Sequence, residues 1–507
     1  MDTTRLKILS LQRFCEAAAR AMAVLVCLLA GGRILCGDAG WFPRAGSGGM
    51  SLLLPAQAAG RIPIPPAGAG IPEQSIAPSH LSQEYYEYQT QSGDTLYTVA
   101  VRFNAYYNEI TALNGLHLPE KGLLNPGWGL RIPKKFTKTT EPARLFPDSE
   151  IVFSRTSEKF NVDDFLAGKR GYLLSYADEE GLTGGGIIRK LARDNSINPK
   201  ILLAMLEYTS GWVTNKQPPA YTVDYPMRFQ DPWSKGLNAQ MMLAINYLER
   251  GYYGWRDARI LYLYFNDGEN LRLAPDLNAG TVAVMYYLSK VTGDSTAWRA
   301  ALEDFSAVYA GLFGDPRASA LEPLYPAELY PPWLILPFPL GPAWCFSNGP
   351  HGAWDARGPE AAVDFAPEQY EYSGPETRTI LASASGCVVR SEGNTVVIDL
   401  DCDGSENTGW NLFYYHLSGQ DRVQQGSKVS QGQKIGSASC EGGACSGIHV
   451  HLARKFNGEW ILAGGAIPLV LSRWVMTAGA EGEWRLVRGG GAVIASKDCK
   501  FANMIAR

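Results

Sequence analysis

Apolar residues recur with a helical period through the middle of the chain. They repeat every three to four positions in Ile201–Leu206, Met241–Leu248 and Val282–Leu288, a spacing that predicts helices. Asn198-Pro199 supplies a helix start, because proline favours the first helical position. We therefore predict a helical domain over residues 151–316.

A shorter and mixed pattern precedes the helical region, over residues 85–136. Tyr86–Thr90 alternates between apolar and polar positions like a strand, and Leu96–Phe103 has a helical period. Tyr107–Asn114 predicts a second short helix, and Leu130–Pro133 predicts a closing strand. The expected order is strand, helix, helix, strand.

The C-terminal part, residues 337–507, has a third pattern. Thr395–Leu400 and Leu412–His416 read as strands, and frequent glycines mark the turns between strands. The fold class that follows is multidomain α+β. It combines a small βααβ module, an α-helical middle domain and a mainly antiparallel β C-terminal domain.

The N-terminus predicts export. Four basic residues precede the apolar run Ala21–Ala30, which is short for a membrane span and typical of a secretory signal. Residues 1–58 are therefore a signal peptide or a membrane anchor, and both readings stay open. Stretches that lack periodicity, two of them proline-rich, predict linkers; these are residues 59–84, 137–150 and 317–336.

Composition narrows the class of protein. Of the 507 residues 46% are hydrophobic, which is ample for packed cores, and the net charge of −4 gives no electrostatic argument for nucleic acid. Six of the nine cysteines fall after residue 344, and an even number in an exported domain implies disulfides. Six cysteines allow fifteen connectivities. Proximity along the chain favours Cys440–Cys445, a hairpin through Gly393-Asn394 would bring Cys387 to Cys402, and Cys345–Cys499 is the pair that then remains.

Four of the six histidines fall within about a hundred residues of the C-terminal domain, which indicates a built site. His449 and His451 leave the same face of a strand-like run, and Asp364 can also lie on a strand. Two imidazoles and one carboxylate with an open fourth position make a catalytic zinc site. Only two of His351, His449 and His451 are then needed as ligands. The third, with His416, is available to move protons and stabilise charge.

These residues carry a family resemblance. The motifs Gly-Pro-His351-Gly, Val-Asp364-Phe, Tyr-Tyr-His416-Leu-Ser and His449-Val-His451 resemble the lysostaphin-type and beta-lytic zinc endopeptidases, which cut peptidoglycan cross-bridges. The separation of His351 from Asp364 is similar to that of the beta-lytic branch. The resemblance implies that His351, Asp364 and His451 bind one zinc ion. It also implies that His416 and His449 are the catalytic imidazoles.

Residues 85–136 resemble the lysin motif (LysM), a module that binds N-acetylglucosamine-containing glycans. Ser-Gly93-Asp-Thr-Leu, Leu-Asn-Gly115 and Asn125-Pro-Gly carry the resemblance. It implies a glycan groove between two loops; the residues implied are Gly93, Asp94, Thr95 and Leu96 in the first loop, and Leu124, Asn125, Pro126 and Gly127 in the second. An inert spacer module is the alternative.

The middle domain is similar to the opening of lytic transglycosylases, from Leu191 to Ser210-Gly211. In that family a catalytic glutamate directly precedes Ser-Gly, but Thr209 stands at this position. Glu207 lies two residues earlier, about 160° away around a helix. We therefore predict a non-catalytic helical domain.

The sequence as a whole predicts a secreted or envelope-associated monomer. It is expected to hydrolyse peptide stems or cross-bridges of peptidoglycan with zinc, while the LysM module holds it on the cell wall. Two alternatives remain open. One is a non-catalytic wall-binding or regulatory protein, and the other is an enzyme that cleaves glycan strands through Glu207.

Overall fold

The structure, a computed structural model, describes residues 84–368, 378–479 and 482–507, which belong to one unit. The predicted signal or anchor segment, 1–58, lies outside these residues, as does nearly all of the linker 59–84. Among the helices described, none combines the length and the apolar character that a membrane crossing needs.

The N-terminal module is a small sheet with one helix packed on it. Strands β1 (Tyr85–Gln89), β2 (Thr111–Ala112) and β3 (Gly129–Pro133) form an antiparallel sheet in the order β1-β3-β2. Helix α1 (Leu96–Phe103) begins after Thr95, whose side chain accepts a hydrogen bond from the Thr98 N–H in a capping box. The second helix is only a 3₁₀ turn at Tyr107–Glu109. It is shorter than predicted, because β2 pairs with β3 at that point.

The middle domain is helical, as its periodicity predicts. Its longest helix ends at Arg256, and a short hairpin separates that helix from the last two. The elements in chain order are α2 (Val162–Lys169), α3 (Tyr172–Ser175), α4 (Gly184–Asn195), α5 (Pro199–Ser210), α6 (Leu237–Arg256), β4 (Tyr262–Tyr264), β5 (Asn270–Arg272), α7 (Ala279–Thr292) and α8 (Ser295–Phe313).

The C-terminal domain is built on an antiparallel sheet of nine strands, in agreement with the predicted antiparallel β fold. Its strands are β6 (Trp344–Gly352), β7 (Glu360–Pro367), β9 (Gly386–Glu392), β10 (Thr395–Asp399), β11 (Trp410–Tyr415), β12 (Lys428–Val429), β14 (Val450–Phe456), β15 (Glu459–Trp460) and β20 (Met504–Ile505). The main path through the sheet is β12-β9-β10-β11-β14-β7-β6-β20, and β15 pairs with β14.

Two smaller sheets complete the domain. One is a pair, β8 (Thr379–Leu381) with β13 (Lys434–Ser437). The other is an antiparallel meander of β16 (Val470–Leu471), β17 (Trp474–Ala478), β18 (Trp484–Arg488) and β19 (Gly491–Ile494). These four strands pair in chain order.

Both faces of the large sheet are buried, in two different cores. Leu412 and Leu452 belong to a core shared with the meander, whereas Phe413 and Ala453 belong to a core shared with the middle domain. Adjacent strand residues point to opposite faces, so this division follows directly from the pleat. The middle domain therefore covers part of one sheet face.

All three predicted disulfides are present, namely Cys345–Cys499, Cys387–Cys402 and Cys440–Cys445. The first joins the start of the C-terminal domain to its end, across 154 residues. The second closes the hairpin of β9 and β10.

Arg256, at the end of α6, joins three parts of the chain. Its guanidinium pairs with Glu459 at 2.8 Å and with Asp148 at 3.0 Å, and it donates a hydrogen bond to the Ser92 carbonyl of the N-terminal module. All three ion-pair side chains are at most 10% exposed. The predicted linker 317–336 packs nearby, with the Tyr325 ring buried against Arg256.

Arg256→Met is expected to destabilise the protein by about 3 kcal/mol, because it leaves two buried carboxylates without their cation. The midpoint of urea unfolding measures the change. Arg259→Met is the matched control, since Arg259 pairs with Asp257 and Glu360 but is 55% exposed. An exposed pair contributes no more than about 1 kcal/mol. Equal shifts of the unfolding midpoint in the two variants would contradict the role of Arg256 in joining three parts of the chain.

Candidate metal centre

Sheet pairing brings the sequence-predicted side chains together. Asp364 on β7 and His451 on β14 are cross-strand partners, and Tyr415 on β11 is the partner of His451 on its other side. His351 lies near the end of β6, where it pairs with Ala362. Directly paired residues share a face of the sheet, as do residues two apart on one strand. His351, Asp364 and His451 therefore meet on one face.

Three donor atoms of these side chains lie at nearly equal separations. His351 Nε2 is 3.1 Å from His451 Nδ1, and Asp364 Oδ1 is 3.3 Å from each of these two nitrogens. A tetrahedral zinc ion with bonds of about 2.0–2.1 Å requires its donors to lie about 3.3 Å apart. The spacing of the three atoms fits such an ion.

The remaining ring nitrogens explain why these donors are free to bind a metal. His351 Nδ1 lies 2.8 Å from the Gly349 carbonyl, and His451 Nε2 lies 2.9 Å from the Ala353 carbonyl. A carbonyl only accepts, so each of these nitrogens carries the proton. The opposite nitrogen of each ring then presents a lone pair. Backbone carbonyls orient metal-binding histidines in this way.

The electrostatics of the three groups point to a shared positive charge. Asp364 Oδ1 is buried and has no hydrogen-bond donor among the described residues. Burial opposes ionisation of Asp364, yet the two imidazoles hold the pKa of its carboxyl well below its usual range. Burial likewise disfavours charge on His351, but the adjacent Asp364 carboxylate raises the pKa of His351 overall. Two lone pairs and a carboxylate at this spacing call for a cation between them.

His416 and His449 lie side by side at the edge of this group, with ring centroids 4.5 Å apart. His416 Nδ1 bonds the Glu441 carbonyl at 3.0 Å, and His449 Nδ1 bonds the Gly447 carbonyl at 2.7 Å. His449 Nε2 is 3.8 Å from Asp364 Oδ2. Burial is the largest cause that lowers the pKa of His416, to about 4. Both rings therefore have Nε2 available for proton transfer.

A disulfide-closed loop holds His416, and sequence reasoning missed this support. Cys440 and Cys445 close the loop that contains Glu441. The carboxylate of Glu441 accepts hydrogen bonds from Asn394 Nδ2 at 2.8 Å and from the Gly419 N–H at 3.0 Å. The carbonyl that orients His416 is thus fixed from two sides. The closeness of Cys440 and Cys445 in sequence was the only signal for it.

The tyrosine beside the site is Tyr415. Tyr414 lies two residues before His416, so strand alternation allows its hydroxyl to point into the cleft, while packing in the core fits the sequence equally well. The structure buries Tyr414, whose hydroxyl accepts a hydrogen bond from the Ser383 N–H at 2.7 Å. Burial raises the pKa of Tyr414 to about 12. The Tyr415 ring instead lies 4.2 Å from the His416 ring and 6.2 Å from the His451 ring.

A second acidic group occurs on the turn after β10. Oxygens of Asp399, Asp401 and Asp403 lie within 4.8 Å of one another. Asp399 accepts hydrogen bonds from the Asp401 N–H at 3.2 Å and from the Gly404 N–H at 2.9 Å. These bonds account for the fold of the turn, and we assign no ligand to it.

The residues implied for glycan binding have two kinds of role, and Leu124 has both. The Asp94 carboxylate is buried and accepts hydrogen bonds from the Tyr88 hydroxyl at 2.5 Å and the Gln91 N–H at 2.8 Å. It also pairs with the buried Arg102. Such a carboxylate stabilises the conformation of its own loop. Thr95 caps α1, Leu96 and Leu124 are core residues, and the N–H of Gly127 bonds the Thr90 carbonyl.

The other group borders open space. Gly93, Leu124, Asn125 and Pro126 line one cavity of about 310 Å³. The two loops are joined by a hydrogen bond of 2.8 Å from the Leu124 N–H to the Asp94 carbonyl. Glycan binding by these residues stays a prediction.

Glu207 serves as a helix-end cap. Its carboxylate accepts hydrogen bonds from the Val213 N–H at 2.9 Å, the Thr214 N–H at 3.1 Å and the Thr214 hydroxyl. Thr209, at the position of the transglycosylase glutamate, is fully buried and donates to the Met205 carbonyl. A general acid must present a proton to substrate, and a carboxylate that only accepts three bonds does not.

Three family models match successive parts of the chain. The LysM domain model matches residues 88–133, the model described as the LasA N-terminal domain matches 144–327, and peptidase family M23 matches 368–462. The last range contains His416, His449 and His451 and begins after Asp364. The C-terminal part is therefore a metallopeptidase domain of the lysostaphin type, and a LysM module precedes it. The zinc-endopeptidase and LysM resemblances predicted from the sequence are confirmed, whereas the helical domain, which resembled lytic transglycosylases, matches the LasA N-terminal domain model.

The chain is also similar to one named relative over much of its length. It is 26% identical over 345 residues to protease LasA of Pseudomonas aeruginosa, an alignment that covers 63% of this chain and 75% of that protein. Among solved structures, the M23 metalloprotease pseudoalterin is 20% identical, with a TM-score of 0.27 over 36% of this chain and 100% of its own. The catalytic domain of lysostaphin from Staphylococcus simulans is 24% identical, with a TM-score of 0.18 over 23% of this chain and 83% of its own. The chain therefore combines matches to a LysM domain, a LasA N-terminal domain and an M23 peptidase domain.

His351→Ala is expected to lower the affinity for a divalent transition metal at least about 100-fold, because it removes one of three donors. Competition with a chromogenic chelator measures the affinity in the full chain. His117→Ala is the control, since His117 is an exposed histidine of the N-terminal module. An unchanged affinity in His351→Ala would exclude the proposed ligand set.

Proposed function

We propose that the protein is an exported, zinc-dependent endopeptidase that hydrolyses peptide bonds in the stems or cross-bridges of peptidoglycan. One observation carries the proposal. The free nitrogens of His351 and His451 and the unpartnered oxygen of Asp364 face one another at 3.1–3.3 Å. The peptidase family M23 match and the LysM match support the reaction class and the target.

The ligand atoms in this proposal are His351 Nε2, Asp364 Oδ1 and His451 Nδ1. A zinc ion held by three protein donors polarises a peptide carbonyl and lowers the pKa of water towards neutrality. The two backbone carbonyls at Gly349 and Ala353 keep the imidazoles in the tautomer that this binding needs.

The two remaining imidazoles handle protons. His416 is held at Nδ1 by the Glu441 carbonyl, so its Nε2 takes a proton from the attacking water and returns it to the leaving amine. His449 is held at Nδ1 by the Gly447 carbonyl. When protonated, it donates from Nε2 to the oxygen that gains negative charge.

The other parts of the proposal concern location. The LysM module keeps the peptidase domain near its polymeric substrate, which raises the local substrate concentration. We expect export through residues 1–58 and action as a monomer. We expect the helical domain to position the modules without chemistry of its own.

Wild-type protein is expected to release free amino groups from purified peptidoglycan, and His451→Ala is expected to release none. The reason is that His451 supplies a metal donor and cannot be replaced by a methyl group. His416→Ala is expected to lose about 10²–10⁴-fold in rate while keeping its zinc, because it removes only proton transfer. Amine labelling measures the cleavage and elemental analysis measures the zinc.

Equal amine release by wild type and His451→Ala would refute the proposed zinc-dependent peptidase activity. A wild-type protein that binds zinc and peptidoglycan but releases no amines would be a wall-binding protein. His117→Ala serves as the histidine-matched control and is expected to retain full activity.

Glu207→Gln is expected to leave peptidoglycan degradation unchanged within about twofold, because Glu207 caps a turn and a glutamine retains an accepting oxygen. New reducing sugar ends and new amino groups are counted in the same digest. Sugar ends that disappear in Glu207→Gln would instead assign glycan cleavage to the helical domain.

A further inference from the structure

The disulfide Cys440–Cys445 borders the two imidazoles that are proposed to move protons. His416 precedes it along the chain, and His449 follows Cys445 by four residues. The Cys445 Sγ atom lies 3.7 Å from His449 Nδ1 and 2.9 Å from the Gly447 carbonyl oxygen. A change at this disulfide therefore acts directly beside the proposed site.

Both imidazoles are oriented by carbonyls of the segment that the disulfide closes. His416 Nδ1 donates to the carbonyl of Glu441, which lies inside the loop Cys440–Cys445. His449 Nδ1 donates to the carbonyl of Gly447, two residues beyond the loop. A carbonyl oxygen only accepts, so each Nδ1 carries the proton and each Nε2 is left free to exchange one. The tautomer of both rings thus depends on one short stretch of backbone.

This stretch has little besides the disulfide to fix its conformation. Gly442 and Gly443 follow one another at φ +75° and +48°, and a Cβ atom at either would lie 2.9–3.0 Å from the Tyr415 hydroxyl. The loop must therefore use the residue with the greatest conformational freedom. The Glu441 carboxylate also accepts hydrogen bonds, but the residue is exposed, so water competes for them. Closing the loop by a disulfide removes that freedom.

The backbone around the histidines is held independently of the disulfide. The Ser439 N–H donates to the His416 carbonyl at 2.8 Å, and the His449 N–H donates to the Ser439 carbonyl at 3.4 Å. The carbonyls that orient the two metal-binding imidazoles belong to Gly349 and Ala353, in another part of the domain. Opening the disulfide therefore releases the orientation of two rings and leaves the proposed metal ligands in place.

The disulfide is accessible to a reductant. Cys440 is exposed and Cys445 is half-buried. A dithiol reduces such a bond by thiol–disulfide exchange: one thiolate attacks a sulfur, and the second releases the mixed disulfide. The protein gains two thiols, and the dithiol, which supplies both electrons and both protons, becomes a disulfide itself.

We propose that Cys440 and Cys445 are positioning residues for His416 and His449, and that hydrolysis requires their disulfide. The inference rests on the proposed function, because it assigns a control to that reaction. Thiols stay reduced in the cytoplasm, and disulfides form in oxidising compartments outside it. The chain therefore gains its activity on the oxidising side of the membrane, where its proposed substrate lies.

The full chain carrying Cys440→Ser/Cys445→Ser tests the proposal. It is expected to release amino groups from saturating peptidoglycan at least about 100-fold more slowly than wild type, because proton transfer loses its alignment. The half-saturating peptidoglycan concentration and the zinc content are expected to stay unchanged. Cys387→Ser/Cys402→Ser is the matched control, since this disulfide also joins an exposed and a half-buried cysteine, and it is expected to keep the wild-type rate.

The chain has only six histidines, so selective ¹⁵N labelling provides a readout that does not need activity. In the oxidised chain, the ring proton is expected on Nδ1 of His416 and His449. In the serine variant, and in wild type reduced with dithiothreitol and desalted, these two rings are expected to exchange between tautomers. His351 and His451 are expected to keep theirs. Reoxidation of the wild type with oxidised glutathione is expected to restore both the tautomers and the rate.

The inference is overturned if Cys440→Ser/Cys445→Ser keeps the wild-type rate and tautomers. It is also overturned if this variant loses its zinc, or if the control variant loses rate equally, because the disulfide would then support the fold in general. An oxidised wild type that releases no amines refutes the peptidase alone. The tautomers of His416 and His449 still decide in that case whether the disulfide positions them.

Discussion

The pairing register of β14 with β7 and β11 is the constraint on which the site depends. It places His451 opposite both Asp364 and Tyr415. A slip of one residue would turn His451 towards the meander core and expose Leu452 in its place. The two faces of the sheet are buried in separate cores, so residues of one face would not pack well in the core of the other. Hydrophobic packing thus fixes the geometry of polar atoms that contribute little to folding themselves.

Within that frame, the backbone decides what the imidazoles can do. The carbonyls of Gly349 and Ala353 each hold one ring nitrogen as a donor, so the opposite nitrogens of His351 and His451 are acceptors facing Asp364. Buried acceptors that face one another are unfavourable without a positive charge between them. The sequence tolerates this cost only where a cation offsets it. The same atoms that define the site therefore also form a place for a positive charge.

The sequence was sufficient to predict which residues meet, because four histidines and one aspartate follow a recognisable order. It could not resolve which tyrosine faces them. His416 follows the end of β11 with φ +61°, and this left-handed turn breaks the alternation that would place Tyr414 on the same face as His416. The second helix of the LysM module was overestimated for a related reason: pairing of Thr111 with Arg131 outweighs local helical spacing. In both cases tertiary pairing decided the outcome.

Contacts between modules were beyond sequence reasoning, since they join residues that are far apart along the chain. Arg256 contacts the Ser92 carbonyl, Asp148 and Glu459, and no local pattern relates these positions. A proline-rich segment predicts a stiff linker, yet Tyr325 is buried by this junction. The LysM module is consequently attached in a fixed orientation, unlike a module on a flexible linker whose effective concentration falls with linker length. Under the proposed function, a LysM module held in this way would decide which part of the cell wall the candidate metal centre can reach.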